Sequence, residues 1–406
     1  MTWSPFVNLR LRGKSMSNTR KVVLLIESSR AYGRGLLRGI AKYSRLHGPW
    51  MFYRESPFYL KSDSLRKMIS HIKEWGATGI IVREQEGLDE ILALGLPTIV
   101  SPLTERFIPG VPSIYTDCFA IAKLGAEYFL KMGFRNFAFC GYYHKPPFAW
   151  SEDRAKVFNE IIAQAGFETH IYVPSKPQKL PPWEKEQLIL ANWLKELPKP
   201  IAIMTCADDR SQNVIDACKI ANIKVPEEIA ILGTDNDEIV CDLSFPPLSS
   251  VALNIEKAGY EAAELLDAGM KGQKMEAKLL LVQPFGVVTR QSTEVMAIED
   301  RDVAEAIRYI RKNPKNMTQV NDIATAIGTS RRSLERKFKK MLGRSIYAEI
   351  RRLRVEQMAC FLLETNYSIL RIARIFGFAG AKHVSRYFRK EKGISPQAYR
   401  KQYSLK

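Results

Sequence analysis

Three acidic segments each follow an apolar, strand-like run: Thr116-Asp117, Asp208-Asp209 after Ile201–Cys206, and Asp235-Asn236 in "GTDN" after Ile229–Leu232. Trp150 and Arg154 lie one turn apart at the start of a helical segment. Carboxylates and amides can bond vicinal hydroxyls, a guanidinium can bond two of them, and an indole can cover the apolar face of a ring. The set suits a polyol. Each acid alone also reads as a helix cap or surface charge, so their shared place beyond strand ends is the argument.

A competing chemistry lies in "KVVLLIESSRAYGRGLLRGI" (Lys21–Ile40), where Gly33, Gly35 and Gly39 follow an apolar run and Glu55 stands at about the spacing of a ribose-binding acid. This pattern raises an NAD-dependent α/β enzyme with a basic tail as the alternative function. Glu27–Tyr32 separate the run from Gly33, however, which places the glycines inside the following helix, where they serve close packing. His47, His71, His144, His170 and His383 are scattered, with no Ser/His/Asp arrangement and no H-E-x-x-H spacing. No catalytic residue, metal ligand or cofactor is expected.

The third set is basic and repeated. "DIATAIGTSRRSLERKFKKMLGRSIYAEIRR" from Asp322 resembles "RIARIFGFAGAKHVSRYFRKEKGISPQAYRK" from Arg371, pairing Ile323 with Ile372, Gly328 with Gly377, Phe338 with Phe388 and Gly343 with Gly393. Each copy reads as a helix-turn-helix: a short apolar face, a glycine past the helix end, an N-cap (Ser330 in the first), and a second helix buried through Leu334 and Phe338. Ser330, Arg331, Arg332, Ser333, Arg336 and Lys337, with Ala381, Lys382, His383 and Arg386 in the second copy, are the candidates to meet DNA, since arginine can bond guanine bidentately and other groups can hold phosphates. Ile346, Ile350, Leu353 and Phe361 predict a linking helix that sets the two units side by side.

These sets need a scaffold. Strand-like runs at Val22–Ile26, Met51–Tyr53, Ile80–Val82, Phe137–Cys140, Ile201–Cys206 and Ile229–Leu232 alternate with helical segments such as Leu65–Trp75 and about 35–47, which predicts parallel sheets flanked by helices. At 406 residues the chain is long enough for two or three domains. Charge divides them: residues 301–406 hold 25 Lys+Arg against 8 Asp+Glu, a net +17, while residues 1–300 hold 36 against 35. Such polarity points to a polyanion partner for the last quarter. Six cysteines without a C-x-x-C pair suggest reduced thiols in a cytosol, and no apolar run approaches membrane-spanning length. The basic N-terminus lacks a cleavable signal pattern, and Met16, just before the first strand-like run, is an alternative translation start to Met1.

The tandem units, with Gly377-Phe378 and "GISPQAYRK" (Gly393–Lys401), resemble the DNA-binding domain of the AraC/XylS family. The second departs from the pattern, with Gly380 in place of a capping serine and Val384 in place of phenylalanine. "ILGTDNDEIVCDLSFPPLSSVALNIEKAGYEAAELL" (Ile231–Leu266) resembles the effector core of the LacI/GalR and periplasmic sugar-binding proteins. That resemblance implies two hinged α/β lobes, with Asp117, Arg154, Asp208 and Asp235 at sugar-holding positions, and Arg30, Tyr32, Trp150 and Asn236 beside them. The combined order, with "AYGR" and "WSEDR", resembles the bacterial xylose-operon activators. It implies a periplasmic-binding-protein-like α/β domain followed by an all-α domain with two helix-turn-helix units. Expected boundaries are a disordered extension at 1–20, an effector domain at 21–290, a linker at 291–300 and a DNA-binding domain at 301–406. The implied partners are a double-stranded DNA operator, a monosaccharide such as D-xylose, a second copy of the chain and RNA polymerase, with no membrane.

Overall fold

The computed structural model describes residues 19–54, 65–104, 108–142, 147–173, 183–294, 300–312 and 319–403. Glu55, His144, Met16, most of the 1–20 extension and half of the 291–300 linker lie outside them.

From the N-terminus, β1 (Arg20–Leu25), α1 (Ala31–His47), β2 (Trp50–Arg54), α2 (Leu65–Trp75), β3 (Gly79–Arg83), α3 (Leu88–Leu92), β4 (Thr98–Ser101) and β5 (Ser113–Thr116) build a first lobe. The chain then enters a second lobe of α4 (Cys118–Lys131), β6 (Phe137–Cys140), α5 (Ala149–Gln164), β7 (Thr169–Ile171), α6 (Trp183–Glu196), β8 (Ile201–Thr205), α7 (Asp208–Ala221), β9 (Ile229–Asp235), α8 (Glu238–Leu243) and β10 (Ser249–Leu253). α9 (Ile255–Met270) and β11 (Leu279–Val282) return to the first lobe, and β12 (Pro284–Val288) crosses back. The sheets have the orders β11-β5-β4-β3-β1-β2 and β12-β10-β9-β8-β6-β7. All pairs are parallel except β10 with β12, because β12 comes straight across from the other lobe instead of through a helical crossover.

Three crossovers therefore join the lobes, at Asp117, Asn254 and Gln283. They are laced together: Asp117 N donates to Val282 O at 2.9 Å and Asn254 N to Gln283 O at 2.9 Å. The central strands are buried on both faces, as Val22–Leu25 and Ile80–Val82 show, so they read as continuous apolar runs without alternation.

The three N-terminal glycines lie inside α1, which starts at Ala31, earlier than the expected start near Gly35. α1 packs on α9 at backbone distance. A Cβ at Gly35 would stand 2.9 Å from Ile255 Cβ, one at Gly39 2.6 Å from Tyr260 N, and one at Gly259 2.8 Å from Leu36 Cα. These contacts occupy the face that a phosphate turn would need free. Gly39→Ala is expected to destabilise the first lobe by about 1–3 kcal/mol, since the obstructing atoms are backbone and cannot rotate away, despite alanine's better helix propensity. Chemical denaturation checks this; an unchanged midpoint would show that the helices can part at no cost.

The last quarter is helical: α10 (Arg301–Lys312), α11 (Val320–Ala326), α12 (Arg331–Leu342), α13 (Ile346–Glu364), α14 (Ile369–Ile375), α15 (Ala381–Lys392) and α16 (Pro396–Tyr403). The repeat is repeated in backbone detail, with Gly328 and Gly377 both at φ 70° after α11 and α14, and Gly343 and Gly393 at φ 67° and 74° after α12 and α15. Those left-handed positions favour glycine. α13 packs against helices of both units, as its apolar spacing requires, and its buried Glu349 is clamped by Arg344 and Arg352 at 2.6 Å each.

Candidate ligand cleft and nucleic-acid interface

β9 runs through Asp235, so this residue ends the strand instead of following it in a loop. Its φ of 104° lies in the left-handed region that a side chain disfavours, and Asn236 follows at φ 51°. Backbone strain held by a surrounding structure is a mark of a built site. Burial raises the Asp235 carboxyl to about 6, against the pull of Arg154, Arg83 and Arg30 and with Asp209 adding to the rise. Arg154 has the largest of these opposing influences and Arg30 the smallest.

Arg154 is almost wholly buried; one terminal nitrogen donates to Cys206 O while its Nε has no hydrogen-bond partner. Its guanidinium lies 5.1 Å from the Trp150 ring centre, and Trp150 stacks on Phe148 with centroids 5.6 Å apart. Trp150 Nε1 is also buried without a partner. Two closed-in donors left unpaired on neighbouring turns are costly unless something completes them.

On the first lobe, Tyr32 is buried and shares a hydrogen bond of 3.1 Å with Ser101 Oγ. Arg83, at the end of β3, covers its ring at 4.4 Å and donates to Ser101 Oγ at 3.0 Å. Sequence reading missed Arg83, although its place at a strand's carboxyl end is the signal that selected the acids. Arg30 is exposed and reaches across to Asp209 at 3.1 Å. Beside it, Asp237 accepts from Ala31 N at 2.7 Å and pairs with Arg34 at 2.6 Å while also capping α8. One carboxylate at the positive end of α1 therefore pins the two lobes together.

Two of the expected contacts also brace the frame. Asp208 is buried with both oxygens engaged, one by Ser250 Oγ at 2.6 Å and the other by Asp237 N at 2.7 Å. Burial pushes its carboxyl well above the ordinary range, and Asp235 adds to the push. It braces the Asp235–Asp237 turn from behind. Asp117 caps α4 by accepting from Ala120 N at 2.9 Å.

The described histidines do not gather here. His47 meets Tyr260 Oη at 2.8 Å, His71 lies against the Tyr53 ring, and His170 is on edge strand β7. Among the described residues no cluster of His, Cys, Asp or Glu could hold a metal, and no helix is long and apolar enough to cross a membrane. None of the six cysteines is in a disulfide.

In the helical quarter, Ser330 Oγ accepts from Ser333 N at 3.2 Å and starts α12. Leu334 and Phe338 are fully buried, which turns Arg332 and Arg336 outward together. Arg331 pairs with Glu335 at 2.8 Å. Lys337 is held by Asp300 at 3.0 Å and Asp302 at 2.6 Å, so its ammonium faces α10 and stands apart from the other candidates. In α15, Val384 and Phe388 are buried while Lys382, His383 and Arg386 are exposed; Ala381 is half-buried.

Gly380 starts α15 without a side-chain cap, its φ of −179° is ordinary extended backbone, and nothing lies within 4 Å of an added Cβ. Gly380→Ser is expected to stabilise the first turn by a few tenths of a kcal/mol. Slower amide exchange at residues 381–384 would register the new cap, and unchanged exchange would show that the serine points elsewhere.

Residues 126–293 match the periplasmic binding protein-like domain family, and residues 323–402 match a helix-turn-helix domain family. The xylose operon regulatory protein of Escherichia coli (strain K12) is 28% identical over 389 residues, covering 94% of this chain and 96% of that one. That of Haemophilus influenzae is 29% identical over 388 residues, covering 94% and 98%. The solved structure of the xylose-binding transcription activator xylR aligns with a TM-score of 0.59 at 26% identity, over 96% of this chain and all of that one.

Proposed function

We propose that this chain, which joins a periplasmic-binding-protein-like domain to a helix-turn-helix domain, is a transcriptional regulator that senses D-xylose in the interlobe cleft and activates pentose catabolic genes. One observation carries the sugar reading: Asp235, buried, strained and within the electrostatic influence of Arg154 and Arg83, together with the unpaired donors of Trp150 and Arg154. A pentose supplies hydroxyls that donate to the carboxylate and accept from the guanidinium and indole groups, and a ring face that the indole can cover. Arg30, Tyr32, Trp150, Arg154, Asp235 and Asn236 form the contact set, with Asp208 and Asp117 holding the frame.

The sensor runs over about 21–290, the linker over 291–300 and the DNA-binding domain over 301–406. Ligand can shift the lobes only through different affinities for their open and closed arrangements. Closure then alters how two copies of the chain present their paired units to half-sites and to RNA polymerase.

Thermal unfolding with a panel of pentoses, hexoses and NAD tests the reading. D-xylose at a hundred times its Kd is expected to add about 2.7 kcal/mol to the sensor. Stabilisation by another sugar alone would reassign the effector, and stabilisation by NAD alone would overturn the sensor reading.

A further inference from the structure

The DNA-binding quarter does not hang from a free tether. Its last helix, α16, is bonded to two of the three strands of chain that form the hinge. Asn254, the middle crossover, donates from Nδ2 to Tyr403 O at 2.7 Å. Tyr399 donates from its hydroxyl to Phe285 O at 2.6 Å, in β12 two residues beyond Gln283, the third crossover, and is itself buried.

Asn254 occupies the N-cap position of α9, where an asparagine side chain ordinarily accepts from the first turn of its own helix, yet it makes no cap bond. A cap of this kind is worth about 1 kcal/mol. The amide instead reaches the other domain. From α16 the contact continues inward: the Tyr399 ring meets Phe388 with centroids 5.3 Å apart and Tyr403 at 4.6 Å. Phe388 is a buried anchor of α15, the helix that carries Lys382, His383 and Arg386.

Crossover residues absorb the backbone rotation when two lobes close. We infer that α16 is a strap that ties the hinge to the second helix-turn-helix unit through Asn254 and Tyr399, so that hinge rotation reorients α15. The inference rests on the sugar-sensing reading for its trigger but not for its existence. Asn254 and Tyr399 are positioning residues that touch neither sugar nor DNA. By thermodynamic reciprocity, DNA held by α15 biases the hinge in return, and sugar affinity with it. Seizing the hinge through a hydroxyl and an amide suits a joint that must slide, since each bond is directional and worth only about 1 kcal/mol net.

The test is amide hydrogen exchange on the full-length protein and on Asn254→Ala/Tyr399→Phe, which removes both bonds and keeps the Tyr399 ring packing. Without ligand, residues 397–403 are expected to exchange roughly five- to thirtyfold faster in the variant, while α11 and α12 stay unchanged. Unchanged exchange in 397–403 overturns the strap whatever the ligand does. On adding D-xylose, exchange in 381–403 of the unaltered protein is expected to change along with the hinge, and in the variant only the hinge is expected to respond. A response in 381–403 that survives in the variant also overturns the inference. Silence of the unaltered protein to D-xylose counts against the effector assignment, and the ligand-free comparison then still decides the strap. Tyr399→Phe alone, which deletes a single oxygen, repeats the comparison should the double variant unfold.

Discussion

Asp235→Asn is expected to raise the Kd for D-xylose at least about a hundredfold near neutral pH. A hydrogen bond to a charged group is worth about 1.5–3 kcal/mol, and the amide also removes the carboxylate charge on which Arg154, foremost among its basic neighbours, acts. Asparagine is the right probe because it tolerates the left-handed φ of 104° that alanine would resist, so loss of binding reports lost charge and not a collapsed turn. The pH profile adds a second readout. With the carboxyl raised to about 6, sugar hydroxyls find the ionised acceptor above that pH, and affinity is expected to fall about tenfold per unit below it. The variant's profile should be flat. Isothermal titration at several pH values measures both; full affinity in the variant would show that the sugar sits elsewhere.

The same shift acts on stability with the opposite sign. A carboxyl raised from 3.8 to about 6 on folding holds its proton more tightly in the folded sensor, so its contribution to stability is present at low pH and is lost as pH rises through that window. The cleft thus gives up stability to keep an ionised acceptor ready; Arg154, Arg83 and Arg30 limit that loss, and Asp209 adds to it. Function and stability compete at this residue, as its backbone strain also indicates.

The alternation of apolar runs and helices is enough to read parallel sheets flanked by helices, because parallel strands buried on both faces leave continuous Val/Ile/Leu segments. The tandem units were legible because Gly328, Gly343, Gly377 and Gly393 each mark a left-handed helix end, and Leu334/Phe338 and Val384/Phe388 each mark a buried face. Roles set by partners far along the chain were less legible. Lys337 shares the sequence neighbourhood of Arg336 yet is claimed by Asp300 and Asp302, more than thirty positions earlier. Asp208 looks like Asp235 in sequence, and only the tertiary fold brings Ser250 and the Asp237 amide to its two oxygens. Arg83 carries no motif, and the Asn254 to Tyr403 bond spans 149 positions. A side chain's type is local, but its last hydrogen bond is tertiary.

The unequal helix-turn-helix units lead to the other large effect. Arg332→Ala/Arg336→Ala is expected to weaken operator binding about a hundredfold or more, since each arginine that reaches base or phosphate contributes about 1–3 kcal/mol and the pair shares one exposed face of a well-capped helix. Lys382→Ala/Arg386→Ala in α15 should cost less, because that helix starts uncapped at Gly380 and is anchored by Val384, a smaller residue than Leu334. Binding measured across salt concentrations separates the contributions: a lost phosphate contact lowers the salt slope by about one, whereas a lost base contact relaxes specificity and leaves the slope nearly intact. Thermal stabilisation by D-xylose should be unchanged in both variants, since no residue of α12 or α15 lies in the cleft. Equal losses from the two pairs would mean that α15 reads DNA as firmly as α12, and the strap on α16 would then steer half of the recognition surface.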